Sequence, residues 1–236
     1  MFRPVDQPRT LAVLLALDEE ACIARTVREV RAALPGADVL VVDDGSADGT
    51  AREARSAGAL VARHPINLGV SAAEATGLAY AHRHGYGAVV RMDGDGQHDP
   101  AFARALLDAV QDGADLVVGT RFSELRSFEP GSLRRAGNAF LAAVVSTLCR
   151  QKVTDPTSGF RAFGRRCAAF FAGVHPHDYP EPESLLMAHR HGFTIREVPV
   201  RMRPRTTGRS SLTPGRSAYY MMKTSLALTL ELLRAR

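Results

Sequence analysis

Asp93, Gly94 and Asp95 put two carboxylates on alternate residues directly after the apolar run Val89-Val90-Arg91-Met92, inside the string MDGDGQHDP. Alternate residues leaving a strand can offer both carboxylates to one ion, and hard oxygen ligands suit magnesium or manganese carrying a diphosphate. Glycines between and after them let backbone and phosphate approach closely. Asp-Gly is also ordinary turn chemistry, and the extended string behind a buried strand is what weighs against a bare turn. His98 has no second histidine at ligand spacing, so a structural place in the loop is expected for it. A second acidic cluster, Asp43-Asp44-Gly45-Ser46, closes the apolar run Val39 to Val42. One of its carboxylates can accept hydrogen bonds from a nucleobase or ribose, or the pair can hold a divalent ion. Strand-end and helix-cap duty is the alternative for Asp44, Ser46 and Asp48. A buried carboxylate without a partner is costly, so two such strand ends, each followed by glycine, read as one cleft for a metal-assisted nucleotide-sugar reaction.

The elements that must position these residues alternate through the first half of the chain. Leu11 to Leu17 reads as a strand and Glu19 to Leu34 as a helix, with Asp18 placed to cap it and Pro35-Gly36 to stop it. Val39 to Val42 is a β-branched run suited to a strand buried on both faces. Thr50 to Ala57 reads as helix, Leu60 to Arg63 as a short strand, and Ser71 to His84 as a helix ending near Gly85. Val89 to Met92, a helix from Pro100 to Gln111 with proline at its start, and a strand Leu116 to Val118 follow. This alternation specifies an α/β fold with an open, mostly parallel sheet flanked by helices. Ligands of such sheets bind beyond the carboxyl ends of the strands, where both acidic clusters fall.

Composition narrows the classes. The chain has 236 residues, 45% hydrophobic and 6% aromatic, enough for one sizeable core. Residues 1–212 are expected to form that domain and residues 213–236 a C-terminal helical extension. The net charge of +5 is carried almost wholly by arginine, whose fork favours phosphates and carboxylates; a surplus this small does not imply nucleic acid. Cys22, Cys149 and Cys167 show no metal-ligand spacing and are expected as reduced thiols in the cytoplasm. No leader segment is read at the start. The apolar runs Ala139 to Leu148 and Ala218 to Leu233 fall short of the roughly 20 residues of a spanning helix. Neither a Gly-Xaa-Gly-Xaa-Xaa-Gly fingerprint nor a glycine-lysine triphosphate loop is present.

Six ordered motifs, LDEE, VVDDGSADGT, HPINLGVSAAEATGL, RMDGDGQHDP, VVGTRF and DPTSGFRAF, together resemble the family 2 glycosyltransferases of GT-A fold. The likeness is greatest to the dolichyl-phosphate mannosyltransferase and bacterial polyprenyl-phosphate glycosyltransferase branch, and runs from about Leu11 to Ser211. Leu15 stands where the family usually has proline and Asp18 where it has asparagine, which bears on the base-binding wall. The resemblance implies that Asp43 and Asp44 contact the nucleoside. Asp93 and Asp95 bracket Mg2+ or Mn2+ and the donor diphosphate, with Gln97 beside the same metal. Arg121, and Arg135 of the Arg134-Arg135 pair, match positions that grip the acceptor phosphate, although that pair also suits a helix surface.

The implied reaction is one inverting displacement from a nucleoside-diphosphate sugar to a polyprenyl monophosphate. A phosphate monoester has its second pKa near 6, so this nucleophile needs no protein base. A sugar hydroxyl acceptor would need one, and Glu183 or Glu181 in YPEPESL is the candidate, a helix-start role being the alternative for both. The arginine-rich segment Arg196 to Arg216 holds Gly208, Arg209 and Ser210, which match a family loop that closes over the diphosphate; a solvated basic loop is the plain reading. Pro214 begins an expected helix through Leu233. With Ala139 to Leu148 it offers apolar surface flanked by arginine, suited to the cytoplasmic membrane surface, to a small membrane protein, or to a homodimer interface. A sugar-nucleotide nucleotidyltransferase and a non-catalytic sugar-nucleotide-binding protein are the alternatives from other classes.

Overall fold

The computed structural model describes residues 9–122, 132–174, 176 and 180–204. Gly208, Arg209, Ser210 and the expected extension over 213–236 lie outside the described residues. Seven strands form one mixed sheet, β1 (Thr10–Ala16), β2 (Asp38–Asp43), β3 (Leu60–Arg63), β4 (Ala88–Asp93), β5 (Leu116–Thr120), β6 (Arg161–Gly164) and β7 (Ile195–Pro199), in the order β3-β2-β1-β4-β6-β5-β7. All pairings are parallel except those of β6, which runs antiparallel between β4 and β5. The helices are α1 (Ile23–Ala33), α2 (Thr50–Ser56), α3 (Val70–Arg83), α4 (Ala103–Gln111), α5 (Ser132–Cys149), α6 (Arg165–Gly173) and α7 (Pro180–Arg190).

The strands are apolar on both faces because helices cover both. Leu11, Val13, Leu40, Val42 and Val89 share one core with residues of α3, α5, α6 and α7. Ala12, Leu14, Val39, Val41 and Val90 share the other with residues of α1, α2 and α4. The amphipathic spacing shows in α1, which buries Ile23, Thr26, Val27 and Val30, and in α4, which buries Ala103, Leu106 and Leu107. Pro100 opens a 3-10 turn ahead of α4, and Asp99 caps it by accepting from the Ala101 amide.

One boundary differs from expectation. Helix α1 begins at Ile23, and Asp18 does not cap it: Asp18 takes a left-handed φ of 55° and its Oδ1 accepts from the Ala47 amide at 2.8 Å. Glu20 accepts from the Gly49 amide and pairs with Arg52, while the Glu19 amide donates to Thr50 Oγ1. The LDEE segment is thus a clamp across the β2–α2 loop. Asp18, expected as the helix cap, and Glu20, expected in its first turn, are instead used on the neighbouring loop.

Strand register brings the acidic clusters together. Ala16 of β1 pairs with Asp43 and Leu15 with Asp93, so both clusters leave the sheet at one level on either side of β1. Two inter-strand steps separate their backbones, about 10 Å. This is the carboxyl edge of the parallel strands, where open sheets bind ligands.

Candidate active site

The Asp93 loop is built from the backbone outward. Gly94 donates to Leu15 O at 2.7 Å, and a Cβ there would lie 3.0 Å from both Leu15 O and Ala16 Cβ, which is why glycine separates the two aspartates. Asp95 Oδ1 accepts from the Gln97 amide at 3.0 Å, and Gly96 turns the chain with a φ of 76°. The Asp93 amide donates to His98 Nδ1 at 3.0 Å, so that nitrogen is unprotonated. His98 is buried, stacks on Phe160, and is pushed down to about 4 chiefly by burial. Its role is the structural one, a neutral ring that shapes the loop.

Asp43 and Asp44 do different work. Asp43 is fully buried, with Oδ1 accepting from the Ser46 amide and Oδ2 ion-paired to Arg63 Nε at 3.2 Å. No hydrogen bond reaches that Oδ2. Asp44 accepts from the amides of Leu68 and Gly69 at 2.9 and 2.8 Å and contacts His64 Nδ1 at 2.7 Å. It pins the loop after β3, and Gly45 makes room for that loop, since a Cβ there would strike the Ile66 backbone. Asp48 serves the start of α2 by accepting from the Thr50 amide.

At the exit of β5, Arg121 is held as a fork. Its Nε and Nη2 donate to the two oxygens of Asp155 at 2.6 and 2.7 Å, and Nη2 also reaches Thr157 Oγ1. Burial acts to lower the guanidinium's pKa, and the buried Asp155 carboxylate raises it above its ordinary value. Glu197 of β7 in turn accepts from the amides of Thr154 and Asp155. Asn138 of α5 donates to Thr154 O and accepts from Thr157. Arg135 is exposed on the same helix, three residues before Asn138. Sequence reasoning took DPTSGFRAF as a motif without seeing this latch; its signal was a run of capping residue types, Asp155, Thr157 and Ser158.

A second group also escaped the sequence. Arg91 is 2% exposed inside β4, with Nη2 3.1 Å from Asp93 Oδ1, Nε 3.5 Å from Glu74 of α3 and Nη1 3.9 Å from Glu181 of α7. Its Nη1 donates to Gly159 O at 2.6 Å. Arg161, fully buried in β6, donates to Ser158 O, Glu181 O and the Ser184 hydroxyl. The available signal was a charge inside each otherwise apolar strand run. Of the two candidate glutamates in the first turn of α7, Glu181 is the one set against Arg91, and Glu183 is half-buried two residues on.

Among the described residues no group of three or more histidine, cysteine or acidic side chains could hold a metal. Asp93 and Asp95, two hard-oxygen donors on alternate residues, fit a cation that keeps water and takes its remaining ligands from a diphosphate, as magnesium does. Gln97 adjoins them, its carbonyl accepting from the Arg203 amide at 2.8 Å.

An open, mostly parallel sheet with acidic clusters at the carboxyl ends of β2 and β4 is the architecture of the GT-A glycosyltransferases. The chain belongs to glycosyl transferase family 2, whose model matches residues 12–169. It is 32% identical to the polyprenol monophosphomannose synthase of Mycolicibacterium smegmatis, over 86% of this chain and 81% of that one. It is 29% identical to the undecaprenyl-phosphate mannosyltransferase of Micrococcus luteus, over 97% and 98%. Among solved structures, glucosyl-3-phosphoglycerate synthase from Mycobacterium tuberculosis, in complex with Mn2+ and UDP-glucose, matches with a TM-score of 0.70 at 24% identity, covering 95% of this chain and 78% of that one. At that identity the match concerns the fold.

Proposed function

We propose that the protein transfers a sugar, with inversion, from a nucleoside-diphosphate sugar to a polyprenyl monophosphate. The observation that carries the reading is the arrangement at one sheet edge: Asp93 and Asp95 leave β4 while Arg121, a charged fork suited to phosphate, leaves β5. The family and the names of the two relatives support the acceptor class.

In this reading Asp43 offers its buried Oδ2 to the donor's nucleobase or ribose, and Asp44 holds the wall of that pocket. Asp93 and Asp95, with Gln97 adjacent, hold Mg2+ or Mn2+, which supplies charge neutralisation for the leaving diphosphate. Arg121 and Arg135 orient the acceptor phosphate, whose oxygen is already ionised at neutral pH and attacks the anomeric carbon without a protein base. Glu183 and Glu181 then have no proton to remove. Gly208, Arg209 and Ser210 would contact the donor from the basic segment. No helix among the described residues is long and apolar enough to cross a membrane, so the reading has the protein meet its lipid acceptor peripherally, at the cytoplasmic face.

The test supplies labelled nucleotide sugars with MnCl2 and either a polyprenyl monophosphate or the matching polyprenol. Label entering the organic phase only with the phosphate is the expected result. Label entering the organic phase with the polyprenol as well, or with neither lipid, would overturn the acceptor assignment. A thermal-shift panel chooses the donor beforehand, since a ligand at 100 times its Kd stabilises by about 2.7 kcal/mol.

A further inference from the structure

We infer that Arg91 is a positioning residue which turns one oxygen of Asp93 inward and weakens the loop's hold on a divalent cation, with Glu74 as the buried counter-charge that limits this effect. The inference rests on the reading of Asp93 as a metal ligand. Arg91 sits two residues before Asp93 on β4 and is 2% exposed, whereas the Asp93 side chain is 41% exposed. One carboxylate oxygen therefore faces a buried cation and the group as a whole still reaches solvent. The guanidinium cannot swing away: Gly159 O receives Nη1, and a Cβ at Gly159 would fall on that same nitrogen. Glycine in DPTSGFRAF is thus required by the arginine in RMDGDG.

The charges around Arg91 fix the sign of its action. Glu74 and Glu181 approach it at 3.5 and 3.9 Å, and Arg161 is electrostatically coupled to both glutamates. Two buried arginines thus stand against the buried Glu74 and the partly buried Glu181, with Asp93 in direct contact with Arg91 and Asp95 acting on it through space. Burial raises the Glu74 pKa, and the two arginines oppose that shift. As the acidic partner 3.5 Å from Arg91 Nε, Glu74 offsets part of the positive charge that Asp93 and its cation experience. Removing the glutamate alone leaves more positive charge beside the site; removing glutamate and arginine together leaves the net charge unchanged but takes away the cation in direct contact with Asp93.

The experiment titrates MnCl2 at pH 8 into wild type, Glu74→Gln, the double variant Glu74→Gln/Arg91→Met, and Asp93→Asn, reading free Mn2+ by its electron paramagnetic resonance signal. Melting temperatures in EDTA check folding, and the double variant avoids stranding either buried charge. Glu74→Gln is expected to weaken Mn2+ binding and the double variant to tighten it, each by about threefold to tenfold. A merely structural network would move both variants in the same direction. Shifts of the same sign, or none, overturn the inference while wild-type binding lost in Asp93→Asn keeps the metal reading. Absence of Mn2+ binding by the wild type, or binding that Asp93→Asn leaves unchanged, overturns both.

Discussion

Asp95 and Arg121 carry the residue-scale content of the account, and they fail in different ways. Asp95→Ala removes the proposed metal donor and one turn hydrogen bond, so transfer is expected to fall at least about a hundredfold while stability falls by only about 1 kcal/mol. Urea denaturation and the transfer assay check this, and unchanged turnover removes Asp95 from the metal site. Arg121→Ala is expected to raise the acceptor KM more than the donor KM, and equal increases would contradict a role at the acceptor phosphate. Asp155→Asn strips the buried counter-charge from the fork; it should cost roughly 3 kcal/mol in denaturant titration and raise the acceptor KM with little change for the donor. Residue type and spacing made the Asp93 and Asp43 clusters legible in the sequence, because carboxylates after β-branched runs need partners. The Asp155 latch and the Arg91 group were not legible. Their members lie tens of residues apart and meet only after β6 enters the sheet beside β4.

Among the elements, β1, β2, β4 and β5 could be read because strands buried on both faces spell mostly apolar runs, interrupted in β4 by Arg91, and the more exposed β3 could be read from the apolar start of LVAR. β6 breaks that rule with the fully buried Arg161, and its antiparallel direction follows from a long connection through α5 that no periodicity announces. The start of α1 differs for a related reason: Asp18 looks like a cap and Glu20 like a first-turn residue, and both serve the β2–α2 loop instead. Gly159 shows how tightly β6 must dock. Gly159→Ala is expected to destabilise by about 1–3 kcal/mol, since the new Cβ meets the buried, hydrogen-bonded Arg91 guanidinium. Gly173→Ala, at the end of α6 with nothing within 4 Å of the added carbon, should be neutral or stabilising. Equal effects of the two in urea titration would mean that Arg91 yields easily.

At the scale of the whole molecule, a net charge of +5 carried by arginine and the proposed lipid-linked acceptor together predict salt-sensitive attraction to anionic membranes. Flotation with anionic vesicles should retain the protein at low salt and release it near 1 M; no retention at low salt would move docking to a partner protein. The sheet order places β2, β1 and β4 side by side, so the Asp43 cluster and the Asp93–Asp95 pair come to one level of the sheet edge only in the assembled fold. Their proposed role as one metal and donor site is tested most directly by an anomalous difference map from crystals soaked with MnCl2 and the donor chosen by thermal shift. A manganese peak is expected about 2.0–2.5 Å from carboxylate oxygens of both Asp93 and Asp95 and in contact with the donor's diphosphate. Manganese bound elsewhere, with those two side chains turned away from the nucleotide, would contradict it.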